Sequence, residues 1–121
     1  MALILIVDDS PTEVHVMKSA LERSGYQIAV AGNGQDGIRL ARQIHPDLIF
    51  MDIVMPGMNG YQATRALLND PDTRSIPIVM VSSKGQETDR IWGLRQGAVD
   101  YLVKPVSSES LVRKAQAALS A

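Results

Sequence analysis

Three aspartates, a serine and a lysine are the residues of this 121-residue chain whose types and positions could do chemistry together. Asp8-Asp9, Asp52, Ser82 and Lys104 each stand directly after a short apolar run, respectively Leu3–Val7, Leu48–Met51, Ile76–Val81 and Tyr101–Val103. Carboxylates held close together repel one another and raise some of their own pKa values unless a cation intervenes. Mg²⁺ suits such a set, because it is hard, oxygen-liganded and usually bound by one or two carboxylates together with water and phosphate oxygens. An aspartate can attack phosphorus to give an acyl phosphate. A phosphoryl group in transfer spreads its charge over three equatorial oxygens, which the protein must position and neutralise. Mg²⁺ on one oxygen, the Lys104 ammonium on a second and the Ser82 hydroxyl on a third would meet that need, with Asp52 as the acceptor. Taken singly, each residue has a plainer reading. Asp8-Asp9 would be a solvated strand end, Asp52 a turn residue before Pro56-Gly57, Ser82 a local backbone hydrogen-bonder and Lys104 a surface lysine. Their shared register with four strand ends is what favours chemistry.

The elements that must hold these residues follow from the apolar pattern. Leu3–Val7 and Leu48–Met51 are continuous apolar runs bounded by polar or turn residues and read as buried strands. Tyr26–Ala31, Ile76–Val81 and Tyr101–Val103 are the other three strands. Ser10-Pro11-Thr12-Glu13 supplies an N-cap, a proline at the first helical position and Glu13 to close a capping box. Val14, Met17, Ala20 and Leu21 line the inner face of that first helix, which Gly25 ends. Asn33-Gly34 opens the second helix, with Ile38, Ala41 and Ile44 inward and Pro46 beyond its end. The third helix begins near Asn59 and stops by Asp70-Pro71, with Ala63 and Leu67 inward. The fourth runs from about Gln86 to Gln96, with Glu87, Ile91, Leu94 and Ala98 on one side. Ser107 caps the fifth, which reaches about Leu119 with Leu111, Ala115 and Ala118 inward. Five strands alternating with five helices predict a single α/β domain over residues 1–121, a doubly wound parallel sheet. In such open sheets ligands bind outside the carboxyl ends of the strands, the rim where the five chemical residues should meet.

Composition narrows the function. Twelve basic and 13 acidic residues give a net charge of −1 without a basic run, so the chain shows no electrostatic footprint for nucleic acid or an anionic membrane. It has no cysteine, which removes disulfides and thiolate chemistry. No apolar run approaches the ~20 residues of a membrane span, and the N-terminal run is too short for a signal-peptide core. These features predict a cytoplasmic protein.

The motifs Ile4-Leu5-Ile6-Val7-Asp8-Asp9-Ser10, Pro46–Asp52, Met55-Pro56-Gly57-Met58-Asn59-Gly60, Val79-Met80-Val81-Ser82 and Gly97-Ala98 through Tyr101-Leu102-Val103-Lys104-Pro105 resemble, along the full length, the receiver domain of two-component response regulators. The resemblance implies strand order 2-1-3-4-5, an order for which this family is itself a standard example. It implies that Asp52 takes a phosphoryl group from a histidine-kinase phosphohistidine. Asp9 is then the direct Mg²⁺ ligand, Asp8 acts largely through water, and the Val54 carbonyl completes the protein ligands. Ser82 moves to the phosphoryl group, Tyr101 turns inward as it does so, and Lys104, joined to Pro105 by a cis bond, contacts the phosphate. Such a protein is a signalling switch that catalyses only its own phosphotransfer and slow dephosphorylation. Val54 and Lys84, two residues beyond Asp52 and Ser82, stand where side chains tune hydrolysis, and Val54 cannot hydrogen-bond an attacking water.

Gly85–Ala98 and Gly60–Arg65 further resemble the stand-alone receivers of type IV pilus twitching motility, in a chemotaxis-like pathway. That implies a chemotaxis-type kinase, a downstream protein of the pilus machinery and no separate output domain, with the chain a monomer or a phosphorylation-dependent dimer. Trp92, on the fourth helix, is either a packing residue or an anchor on the face formed by helix four, strand five and helix five. Alternatives remain open from the residues. A phosphate sink for a shared kinase needs the same site. A haloacid-dehalogenase-type phosphatase would carry a second acid where Val54 stands, and an FMN protein would meet repulsion from Asp8-Asp9.

Overall fold

The computed structural model describes residues 1–120. Strands β1 (Leu3–Val7), β2 (Gln27–Ala31), β3 (Leu48–Asp52), β4 (Ile78–Ser82) and β5 (Asp100–Val103) alternate with helices α1 (Pro11–Arg23), α2 (Gly34–Ile44), α3 (Gly60–Leu68), α4 (Glu87–Arg95) and α5 (Ser108–Ser120). All neighbouring strands are parallel, in the order β2-β1-β3-β4-β5. The expected doubly wound sheet is therefore present, and so is its order.

Period-2 alternation sends successive strand residues to opposite faces, and each face has its own core. Ile4, Ile6, Leu48, Phe50, Val79 and Val81 pack under α1 and α5, against Met17, Leu21, Leu111 and Ala115. Leu5, Val7, Ile49, Met51 and Ile78 pack under α2 and α3, against Ala41, Ala63 and Leu67. A smaller cluster of Ile53, Met80, Ala98 and Tyr101, with Tyr61 against it, lies on the α4 side. Because β3 is buried on both faces, its side chains are apolar throughout until Asp52.

Three expectations need correction. β4 begins at Ile78 rather than Ile76, because Ile76 closes a turn by donating its amide to the Thr73 carbonyl. The side of α4 that carries Glu87, Ile91 and Leu94 is not its packed side, and Ala98 lies beyond the helix, buried in the smaller cluster. Ile91 and Glu87 are exposed and Leu94 is half-buried, while Gly93 is the buried residue of that helix. The helix sits on the sheet through a missing side chain: a Cβ at Gly93 would lie 2.9 Å from Met80 Sδ and 3.0 Å from Tyr101 Cδ2. Finally, the α1 capping box is only half made. Ser10 Oγ accepts from the Glu13 amide at 3.4 Å, but the Ser10 amide donates to Asp8 Oδ1 and the Glu13 carboxylate turns elsewhere.

Candidate functional site

Register brings the strand ends together. Val7 lies beside Met51, Asp52 beside Val81 and Ser82 beside Val103, so Asp8, Asp52, Ser82 and Lys104 step across one rim. One carboxylate oxygen from each of Asp8, Asp9 and Asp52 falls within 4.8 Å of the other two. Asp8 and Asp52 are buried and Asp9 is exposed, so the cluster opens to solvent on the Asp9 side. The fit to Mg²⁺ rests on this donor set: three hard carboxylate oxygens converge beside a single ammonium, which leaves negative charge uncompensated.

That ammonium is Lys104 Nζ, which donates to Asp8 Oδ2 at 3.0 Å, to Asp52 Oδ1 at 3.2 Å and to Glu13 Oε2. The Lys104 amide also donates to the Ser82 carbonyl at 2.8 Å, tying the end of β5 to that of β4. The Lys104–Pro105 bond is cis. Burial disfavours the charged Lys104, but its hydrogen bonds to Glu13 and Asp8 and the charges of Asp52 and Asp8 outweigh it, so the amine is held above its ordinary range. The Asp52 pKa is raised as well, which for a carboxyl favours the neutral form. Burial and then the neighbouring Asp8 charge raise its carboxyl to about 6, against the lowering effect of Lys104.

Behind Asp52 the chain doubles back over Ile53–Asn59. Gly57 takes φ +75, and the Gly60 amide donates to the Ile53 carbonyl at 2.8 Å. A Cβ at Gly60 would run into the Asp52 carbonyl, so glycine lets α3 start directly against the strand end. Asn59 and Gln62 form a reciprocal capping box that starts α3 there. Val54 lies in this loop with its side chain exposed.

Ser82 is fully buried, and its hydroxyl accepts from the Lys84 amide at 3.2 Å rather than reaching the carboxylates. Tyr101 is inward, its hydroxyl donating to the Lys84 carbonyl at 2.7 Å. Lys84 thus enters through its backbone, as the link between Ser82 and Tyr101, while its side chain is exposed. Trp92 is 47% exposed and meets Tyr61 edge-on, ring centroids 6.3 Å apart at 78°. It therefore combines packing on α3 with a free edge. Sequence reasoning missed two members of the site. Glu13 looked like a capping residue, and Gly60 stood inside the Met55–Gly60 motif with nothing to say that α3 would rest there on the Asp52 backbone.

Residues 4–116 match the response regulator receiver domain family, and the chain belongs to it. The chain is 56% identical over 120 residues to protein PilH of Pseudomonas aeruginosa, covering 99% of both chains. Among solved structures it resembles chemotaxis protein CheY4 of Vibrio cholerae (29% identity, TM-score 0.92, 98% of this chain and 99% of that one). It also resembles the receiver domain of sensor histidine kinase PA1611 from P. aeruginosa (31%, TM-score 0.92, 99% and 98%), which has a magnesium ion coordinated in its active-site cleft. Among the described residues no helix is long and apolar enough to cross a membrane.

Proposed function

We propose that Asp52 is the phosphoacceptor of a response regulator, charged by a chemotaxis-type histidine kinase and acting in type IV pilus twitching motility. The observation that carries the chemistry is the pairing of Asp52 Oδ1 with Lys104 Nζ at 3.2 Å beside the Asp8–Asp9 carboxylates. The motility assignment rests on the Gly85–Ala98 and Gly60–Arg65 resemblance and is supported by the likeness to PilH. On this reading residues 1–121 are one receiver domain that works in the cytoplasm and hands its signal to a protein of the pilus machinery.

Transfer needs one bond formed and one broken. An Asp52 carboxylate oxygen bonds to phosphorus as the phosphorus–nitrogen bond of the donor phosphohistidine breaks, with the electron pair leaving on the imidazole. Asp8, Asp9, Asp52 and the Val54 carbonyl would hold Mg²⁺, which supplies charge neutralisation for the phosphoryl oxygens. Lys104 stays beside the acceptor as a cation, because its carboxylate partners hold its proton. The Ser82 hydroxyl, which accepts from the Lys84 amide, gives up that contact and donates its proton to a phosphoryl oxygen. That change acts on the Lys84 backbone that the already inward Tyr101 holds and biases the α4–β5–α5 face between two states. The test is incubation with Mg²⁺ and acetyl phosphate or beryllofluoride, read by Trp92 fluorescence and by acid-labile phosphate. The expected result is a response in wild type and none in Asp52→Asn. An equal response in both, or acid-stable phosphate, would refute the proposal.

A further inference from the structure

We infer that Glu13 is a built-in competitor for Lys104, a positioning residue that restrains phosphorylation until a phosphoryl group displaces it. The inference rests on Asp52 being the phosphoacceptor. An ammonium has three N–H donors, and the three of Lys104 are matched to three carboxylates, those of Asp8, Asp52 and Glu13. A phosphoryl group on Asp52 adds oxygens that require the same cation, so one of the three contacts has to yield.

The three are not equally replaceable. Asp8 is buried, and its other oxygen already accepts the Ser10 amide at 2.9 Å. Asp52 carries the phosphoryl group and stays beside it. Glu13 has a side chain 44% exposed, makes no other side-chain hydrogen bond among the described residues, and stands in the first turn of α1, where water can solvate it on release. It is also the carboxylate that gives up its place in the α1 capping box to reach Lys104. Glu13 thus neutralises Lys104 without contributing an oxygen to the Asp8–Asp9–Asp52 cluster. Its release frees the ammonium.

The test is a double-mutant cycle on the full chain at saturating Mg²⁺, titrating beryllofluoride and following Trp92 fluorescence, with the acetyl phosphate rate as a second readout. Glu13→Gln and Glu13→Ala should each tighten beryllofluoride binding and speed phosphorylation roughly two- to fivefold, the scale of a partly exposed ion pair. Glu13→Asp, which keeps the charge, should return toward wild type. In a Lys104→Ala background the Glu13→Gln gain should vanish, because the competition acts through that ammonium. A Glu13→Gln protein no faster than wild type would overturn the inference. So would an equal gain with Lys104 removed, which would mark a general charge effect. If wild type itself fails to respond, or Asp52→Asn responds like it, the phosphoacceptor assignment fails instead, and that arm is read separately.

Discussion

Asp52 is a carboxylate whose surroundings work against its charge even with the Lys104 ammonium beside it. Its carboxyl is raised from 3.8 to about 6 by burial and by Asp8, with Lys104 opposing. The folded protein therefore binds that proton more tightly than the unfolded chain does. Its contribution to stability is full below about 3.8 and is lost as pH rises through about 6. At pH 7 without divalent metal, Asp52→Asn should stabilise the fold by roughly 1–3 kcal/mol in denaturant titrations. The gain should shrink toward zero at pH 4. Adding Mg²⁺ should stabilise wild type more than Asp52→Asn, since a ligand held by the native state alone raises stability by mass action. A second residue-scale expectation concerns Val54, whose exposed side chain offers no hydrogen bond to water near Asp52, the proposed phosphoacceptor. Val54→Asn should lose phosphate from Asp52 faster than wild type, measured as decay of acid-labile phosphate after donor removal.

Helices and strands were legible where a side-chain pattern reports burial, and illegible where burial is achieved by having no side chain. β1 and β3 are apolar from end to end because both faces are covered, and α1 and α5 carry clear stripes over one core. α4 carries none, because Gly93 is what meets Met80 and Tyr101, and a glycine in a helical segment ordinarily reads as a weakness. Glu13 was misread for another reason. Its local role as a capping residue is written within four residues, whereas its partner Lys104 lies 91 residues away. Among the site residues, strand-end position alone placed Asp8, Asp9, Asp52 and Lys104 on one rim, but the inward Ser82 hydroxyl and the backbone role of Lys84 depend on loop geometry. Three expectations follow at this scale. Backbone amides of α4 should exchange with solvent faster than those of α1, because that helix buries little apolar surface and so opens locally at low cost. Gly60→Ala should destabilise by about 1–3 kcal/mol or more, since the added methyl meets the backbone of Asp52. Gly32→Ala, where nothing lies within 4 Å, should change unfolding free energy by no more than ~0.5 kcal/mol.

Across the whole molecule, two cores back to back hold a sheet whose carboxyl edge gathers charge. Truncating Phe50, which is buried in the α1–α5 core one strand position from Met51, should cost about 3–5 kcal/mol as Phe50→Ala, with Asp52 chemistry surviving in the fraction that remains folded. The pairing of Lys104 with Asp8 joins residues 96 positions apart in the chain at 3.0 Å. During synthesis, the acidic half of the site therefore leaves the ribosome long before its counter-charge. A nascent chain that has reached β3 already holds Asp8, Asp9 and Asp52 but not the ammonium made last. The counter-charge that holds these carboxylates together in the folded protein is thus the last part of the site to be made, so the rim is completed only when β5 and the residue after it join the sheet.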